Sequence, residues 1–438
     1  MNRAKTFTFS VLPTAPHAFA PAARPAAVWG PEVRRILCVR LDNLGDVLMT
    51  TPAMRALREA GPGRQLTLLA SSAGAQMAPY LPDVDEVIRY DAPWVSGQAE
   101  PSAQTDLQMR RALEAGRFDA AVIFTVYSQN PLPAALMCYL AGIPRRLAWC
   151  RENPYHLLTD WAQEKEPQQH VRHEVERQLA LVEHVGATAA TTATTGDMRM
   201  RFAVADEDRH ALDALLATHG VRAGTPCVVL HAGASSASRR YPPERFGEVA
   251  SHIAAQLRCP VLLTGGVEER ETVQRVASAT RASVRRYLCD LSGLLTLGQL
   301  AALLERAAVL VSNNTGPVHI AAALGTPVVD LYALTNPQHT PWQTPSRVLF
   351  HDVACRWCYR SVCPEGHHAC LLGVPAAEVA EAALQLAAPR LSPPSLPSPP
   401  SLASAARPAP RDTTGPLPVK ATRWPGEAAV LARFPKTS

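Results

Sequence analysis

Short, nearly continuous apolar runs alternate with helix-length stretches along most of the chain. ILCVRLD (36–42), LTLLAS (66–71), VDEVIRYD (84–91) and AAVIFTV (120–126) have strand length and are rich in branched apolar residues. Strands apolar on both of their faces must be covered on both, which predicts a parallel sheet between helical layers. The pattern restarts after residue 220 with CVVLHAGA (227–234), PVLLTGG (260–266), VLVSNN (309–314) and PVVDLYA (327–333). PPERFGEVASHIAAQL, EERETVQRVASAT, LGQLAALLERA and GPVHIAAALG fill the intervals as helices. The chain therefore reads as α/β, with two doubly wound, Rossmann-like units in tandem. The N-terminal unit is expected over 33–195 and the C-terminal unit over 196–389, with the join between 185 and 225. A chain of 438 residues exceeds what one hydrophobic core supports, which agrees with two domains.

The ends break the pattern. Residues 1–32 are rich in Ala and Pro without a period, and read as a flexible extension with neither a signal-peptide core nor an anchor. From 390 to 438 the composition turns to Pro and Ser, as in PRLSPPSLPSPPSLASAARPAP, which favours extended, solvated backbone and predicts a disordered tail.

In open α/β sheets ligands sit beyond the carboxyl ends of the strands, so two such sheets face each other across a cleft lined by strand-end loops. The first strand runs into NLGDVLMTTPAMRAL, placing Asp42, Asn43, Gly45 and Asp46 at that end. Asp46 could take a proton from an attacking hydroxyl or merely cap a helix. Thr51 before Pro52 reads as an N-cap and first helical residue. SNNTGPVH opens another helix after a strand, and its unpaired amides at Thr315 and Gly316 suit a diphosphate, with His319 one turn on.

Charge is nearly balanced, at +5 with no Lys/Arg run, which excludes a nucleic-acid-binding arm and leaves anionic substrates or a membrane surface open. No segment approaches the roughly 20 apolar residues of a membrane span. The expected location is cytoplasmic, at the inner face of the cytoplasmic membrane if peripheral. Of ten cysteines, Cys355, Cys358, Cys363 and Cys370 cluster beside His367 and His368. Four soft ligands at this spacing could close a structural zinc or iron site, or remain four reduced thiols.

RRILCVRLDNLGDVLMTTPAMRALRE resembles the opening signature of glycosyltransferase family 9, the lipopolysaccharide heptosyltransferases and their relatives. HAGASSASRRYPPERFGEVA (231–250), LTGGVEERE (263–271) and LSGLLTLGQLAALLERAAVLVSNNTGPVHIAAALGTPVVDLY resemble its later signatures, in order, across 33–385. The resemblance implies the GT-B fold of two facing Rossmann-like domains, and inverting sugar transfer without a catalytic metal. It implies Asp46 as catalytic base, and an ADP-sugar donor, ADP-heptose, in the C-terminal domain. The acceptor would be a lipopolysaccharide core or another glycolipid or envelope glycan, held against the N-terminal domain.

Donor contacts carried over by the resemblance are Ser235, Ser236, Arg239, Gly265, Glu269, Asn314, Thr315, Gly316 and His319. Two positions depart from the family pattern. Arg239 stands where the family carries Lys, keeping a cation with a different geometry. Asn314 stands where S-x-D-T-G carries Asp, which removes a charge and predicts altered sugar selection. These changes leave open a transferase for another nucleotide sugar or a protein acceptor, or a non-catalytic binding homologue; Asp46 favours catalysis. Acceptor phosphates or carboxylates could meet Arg40, Arg110, Arg111, Arg145, Arg146 or Arg151, among which the sequence does not choose.

Overall fold

The computed structural model describes residues 28–95, 102–188 and 197–391. The N-terminal unit contains β1 (Arg35–Arg40), α1 (Leu44–Glu59), β2 (Gln65–Ala70), β3 (Glu86–Arg89), α2 (Ala103–Ala115), β4 (Ala120–Ile123), α3 (Leu132–Leu140), β5 (Arg145–Cys150), β6 (Asp160–Gln163) and α4 (Glu174–Glu183). The C-terminal unit contains α5 (Asp206–Thr218), β7 (Val228–His231), α6 (Pro243–Leu257), β8 (Val261–Thr264), α7 (Arg270–Ala279), β9 (Leu288–Asp290) and α8 (Leu297–Arg306). It continues with β10 (Val309–Asn313), α9 (Gly316–Ala323), β11 (Val328–Leu331), β12 (Ser346–Leu349), α10 (Ala369–Leu372) and α11 (Ala376–Leu391).

Both sheets are parallel throughout. Their strand orders, β3-β2-β1-β4-β5-β6 and β12-β11-β10-β7-β8-β9, are the same doubly wound order counted from β1 and from β7. The order reverses between β1 and β4, and again between β7 and β10, so each sheet opens a crevice at those carboxyl ends.

Period-two alternation distributes each strand between layers. In β1, Leu37 and Val39 join the outer N-terminal core, whereas Ile36 and Cys38 face inward. In β7, Val228 and Leu230 join the outer C-terminal core and Val229 faces inward. The inward residues meet α1 and α4 on one side and α5, α8 and α9 on the other, in one contiguous apolar layer shared by both sheets.

The four strands absent from the sequence reading are β5, β6, β9 and β12. RRLAWC opens on two arginines that shorten its buried apolar run to LAWC, DWAQ and SRVL are largely half-exposed, and LCD is three residues long, so none presents the long apolar run read as a strand. The ordered chain begins before residue 33. Trp29 is buried, its amide donates to Val185 O and its carbonyl accepts from Arg64, which anchors the entry to β1. At the other end α11 runs through Leu391, and Arg390 donates to the carbonyls of Ala307 and Gly325, so this helix overlaps the start of the expected tail. The rest of the two expected extensions, 1–27 and 392–438, lies outside the described residues, as does 189–196 in the expected join. Residues 197–203 lie against the N-terminal unit: Arg55 on α1 donates to the carbonyls of Asp197 and Arg199, and Phe202 stacks on Tyr80 at 4.6 Å.

The expected helix start at Thr51 is corrected. α1 begins at Leu44 with Asn43 as N-cap and carries Pro52 in its interior. Proline cannot donate to the carbonyl four residues back, that of Leu48. The Thr51 hydroxyl donates to that carbonyl instead, at 2.7 Å, and also accepts from the Arg201 amide. Thr51 is therefore the repair for Pro52 rather than a cap. Thr51→Val should lower the urea-derived unfolding free energy by about 1–3 kcal/mol, the cost of unsatisfied buried groups. In a Pro52→Ala background the loss should shrink, because the backbone amide restored at position 52 can reach Leu48 O; equal losses in both backgrounds would refute the repair.

Candidate functional site

The site forms where the starts of α1 and α9 approach across the two domains. A β-carbon on Gly45 would lie 2.8 Å from His319 Cδ2, and one on Gly316 would lie 2.7 Å from Leu44 Cδ1. Each helix start thus uses a glycine to let the other come near, and the amides at the start of α9 are brought close to the first turn of α1, which carries Asp46.

The N-terminal half is organised by Arg40, the last residue of β1, whose side chain is fully buried. Its Nε lies 2.9 Å from Asp42 Oδ2, its Nη1 donates to Glu174 Oε1 at 2.7 Å, and its Nη2 lies 3.4 Å from Asp46 Oδ1. One cation faces three carboxylates. Burial raises the pKa of Asp42 and Asp46, opposed by Arg40, and for Asp46 also by Arg239. Burial pushes Glu174 upward too, but Arg40, then His339 and Arg177, outweigh it and hold its pKa below the usual value. Asp46 caps the helix start, its Oδ2 accepting the Asn43 amide, while Oδ1 faces Arg40 and lies 3.9 Å from His339 Nε2.

On the donor side Thr315 is the N-cap residue of α9, and Gly316 and Pro317 open the helix. His319 is buried, and its Nδ1 has no hydrogen-bond partner among the described residues. Burial and then His339 hold its pKa well below the ordinary imidazole value, so the ring is neutral at pH 7. Arg239 closes a short turn after β7 and is half-buried; its amide donates to Ser236 O, its guanidinium has no hydrogen bond or ion pair among the described residues, and its charge acts on Asp46, His319 and Asp330. Arg240 differs: its guanidinium donates to the carbonyls of Ala234 and Ser235 and shapes the loop. Ser235 is exposed and Ser236 half-buried in that loop.

Gly265 and Gly266 follow β8, and the Gly266 amide donates to Glu269 Oε2 at 2.9 Å. Glu269 packs over Gly233, where a β-carbon would collide with its carboxylate, and its Oε2 lies 3.8 Å from His231 Nε2. Glu268 and Glu271 are exposed. Asn314 is buried and its amide donates to Asp330 Oδ2 at 2.9 Å and to His339 O at 2.8 Å. Asp330 is buried, which raises its pKa to about 8, and its Oδ1 has no hydrogen-bond partner among the described residues. The amide of Asn314 is thus committed to the wall behind the helix start.

Of the arginines open to an acceptor, Arg40 is consumed by its three carboxylates. Arg110 donates to Glu114, Arg145 to Glu32, Arg146 to the carbonyls of Ile143, His156 and Leu157, and Arg151 to those of Tyr127 and Glu166. Arg111 is exposed on α2. The cysteine cluster was open to a metal site or to four reduced thiols. Cys355, Cys358, Cys363 and Cys370 are half-buried thiols near enough to influence one another's ionisation. Among the described residues, however, no three His, Cys, Asp or Glu side chains are arranged to hold a metal ion. Backbone bonds from Trp357 to Leu334 and from Tyr359 to Thr335 fix the loop, with Cys355 Sγ 3.7 Å from His367 Nε2 and no closed ligand set.

Glu174, His339 and the hub role of Arg40 escaped the sequence reading. An arginine inside the apolar run ILCVRLD was a signal, because a charge in a buried strand demands partners. Nothing local marks Glu174, 134 positions from Arg40, or His339, which arrives from the loop after β11.

Comparison with known proteins agrees with this architecture. The model for glycosyltransferase family 9 (heptosyltransferase) matches residues 107–369. Lipopolysaccharide heptosyltransferase 2 of Escherichia coli K12 is 24% identical over 350 residues, 79% of this chain and 97% of its own. Lipopolysaccharide heptosyltransferase 1 of the same strain is 28% identical over 312 residues, 69% and 89% of the two chains. Among solved structures, a family 9 glycosyl transferase from Veillonella parvula DSM 2008 superimposes with a TM-score of 0.69 at 24% identity, covering 82% of this chain and 98% of that one. The E. coli ADP-heptose heptosyltransferase II does so with a TM-score of 0.64 at 22% identity, covering 82% and 100%. With a family model spanning more than half of its length and two facing doubly wound sheets, the chain belongs to glycosyltransferase family 9 and is a GT-B glycosyltransferase.

Proposed function

We propose that this protein transfers a heptose from ADP-heptose, with inversion, to a lipopolysaccharide core or related envelope glycan. The observation that carries the reading is Asp46: its Oδ1 lies between Arg40 and His339, with the charge of Arg239, whose guanidinium has no partner among the described residues, acting on it from the other domain. In this mechanism Asp46 accepts the proton of the acceptor hydroxyl. The acceptor oxygen attacks the anomeric carbon as the bond from that carbon to the diphosphate oxygen breaks, and ADP departs with the electron pair. Arg239 and the amides at Thr315 and Gly316 meet the charge gathering on the leaving group. His319, neutral and with a free Nδ1, can hydrogen-bond the donor without competing for its phosphates as a cation. Ser235 and Ser236 line the same approach, and Gly265, Gly266 and Glu269 form the nucleoside side.

Relatives named for lipopolysaccharide heptosyl transfer support the donor and acceptor assignments. Work at the inner face of the cytoplasmic membrane completes the reading; among the described residues no helix is long and apolar enough to cross a bilayer. A transferase for a different nucleotide sugar is the second reading, favoured by the commitment of the Asn314 amide to Asp330 and His339.

Asp46→Asn should lower kcat by about 10²–10⁴, as expected for loss of a general base, while calorimetric ADP affinity stays close to wild type. A variant with near-normal transfer would remove Asp46 from the reaction. Protonation disables the base, so wild-type kcat should rise with pH through the Asp46 pKa, and burial puts that limb above the ordinary carboxylate range. A limb within that ordinary range, near 4, would contradict the buried environment. Asn314→Asp loses both amide donors and sets a second carboxyl against Asp330, so unfolding free energy at pH 8 should fall by roughly 2–5 kcal/mol. The loss should be smaller at pH 5: carboxyls with folded pKa values raised above their unfolded ones favour the folded state as pH falls. Unchanged stability with an altered ranking of donor sugars would instead place residue 314 against the sugar.

A further inference from the structure

The loop between β11 and β12 bridges the two domains. Hydrogen bonds within the C-terminal domain shape it. The Tyr332 hydroxyl donates to Asn336 O at 2.6 Å and accepts the His339 amide at 3.3 Å. The Asn314 side-chain amide donates to His339 O at 2.8 Å. On its other side the loop grips the start of α4 in the N-terminal domain. The Glu174 amide donates to Gln338 O at 3.1 Å, His173 Nε2 lies 2.9 Å from Thr340 O, and the His173 ring stacks on Trp342 at 4.4 Å. Glu174 is in turn a partner of Arg40, so the loop is joined to the charge cluster that fixes Asp46.

These contacts locate the proton on the His339 ring. Asn336 Oδ1 accepts the Gln338 amide at 2.9 Å, so the group 3.3 Å from His339 Nδ1 is the Asn336 NH2, which can only donate. Nδ1 is therefore the acceptor, and the neutral ring carries its hydrogen on Nε2. The ring is neutral at pH 7 because burial, opposed by Glu174 and aided by Arg239, holds its pKa down to about 4. Nε2 is buried, has no hydrogen-bond partner among the described residues, and lies 3.9 Å from Asp46 Oδ1. A buried donor left without an acceptor is costly. The carboxylate is about 1 Å beyond hydrogen-bond distance, and contacts of this kind commonly tighten when substrate binds.

We propose that His339 is a positioning residue for Asp46: from the opposite domain its Nε2–H donates to Oδ1 and holds the base as an oriented carboxylate. The proposal rests on Asp46 serving as the base in the transferase reading above. Oδ2 already accepts the Asn43 amide and Oδ1 faces Arg40 at 3.4 Å, so a donor from His339 completes the restraint on the carboxyl group. A hydrogen bond to the charged form lowers a carboxyl pKa and so works against burial, which raises that of Asp46. Asn314 gains a function in the same chain of contacts. Its amide donates to His339 O, a bond for which an aspartate has no hydrogen. The departure from the family pattern at 314 thus supplies a donor behind the loop that carries His339.

The test uses the full chain and two readouts: turnover of ADP-heptose followed by ADP release, and substrate-free NMR titration of aspartates labelled with ¹³C at the carboxyl. The charged groups around the pair are Arg40, Asp42, Glu174 and Arg239, with His173 and His319 as neighbouring rings that burial keeps neutral. His339→Leu should lower kcat by about 10–100-fold, the worth of one hydrogen bond to a charged group. KM for ADP-heptose should stay within about threefold of wild type, since the contact is to the base and not to the donor. The Asp46 pKa should rise, moving the ascending limb of kcat to higher pH. His339→Gln, whose side-chain amide can donate from near the place of Nε2, should restore kcat to within about threefold and return the limb. Equal losses in the two variants, or an Asp46 pKa unmoved in His339→Leu, would overturn the proposal and leave only a packing role. Should His339→Leu fail to fold, NMR of ¹⁵N-histidine in the wild type decides. A hydrogen on Nε2 and a bare Nδ1 near neutral pH are expected; a hydrogen on Nδ1, or a doubly protonated ring, would overturn the proposal. Wild-type protein that makes no use of ADP-heptose would remove the donor assignment, while the Asp46 titration in the two variants still judges His339. Normal turnover with an unshifted titration would keep the transferase and remove the role of His339.

Discussion

Burying a guanidinium at the end of a parallel strand is costly unless it is met by carboxylates, and Arg40 is met by three. That arrangement ties β1 to the first loop through Asp42, to the start of α1 through Asp46, and to α4 through Glu174. The removal of any one partner would leave charge stranded in the interior, so the cluster fixes where the carboxylate of Asp46 lies as firmly as the apolar core fixes the strands. It also sets the chemistry. Burial, with the excess of negative charge that three carboxylates around one cation leave, raises the pKa of Asp42 and Asp46.

The second constraint is steric. α1 and α9 can approach only because Gly45 and Gly316 lack side chains at the points of contact. Their approach sets a carboxylate from one domain beside helix amides from the other, with an arginine whose guanidinium has no partner among the described residues. In the proposed mechanism, base and leaving-group stabiliser therefore belong to different halves of the molecule. The shared apolar layer of α1, α4, α5, α8 and α9 is what holds those halves in register.

The donor loops show how a motif can survive while its parts change jobs. Asn313 stitches β10 to the loop after β7, donating to Ala232 O and accepting the Tyr241 amide. Asn314 turns the other way, toward Asp330 and the loop that delivers His339. A carboxyl is still present near the start of α9, but it is carried by β11 and is buried enough that burial raises its pKa to about 8.

The order of strands and helices, the two-unit division, and the strand ends at which chemistry should lie were all written in the sequence, because apolar runs and glycine-containing loops are local patterns. So was the place of Asp46 just beyond the end of β1, through the run NLGD. The edge strands β6, β9 and β12 were not legible, since they are polar or short, and β5 was not because its apolar run LAWC follows two arginines. Pro52 misled for a related reason: a proline usually marks a helix start, and only the packed helix reveals that Thr51 supplies the missing hydrogen bond. The meeting of Arg40 with Glu174, of Asp46 with His339, and of Gly45 with His319 joins residues from 134 to 293 positions apart. Neither hydrophobic period nor motif spacing encodes such distances. They follow from where two sheets and their shared helical layer come to rest, which is decided by the packing of the whole chain.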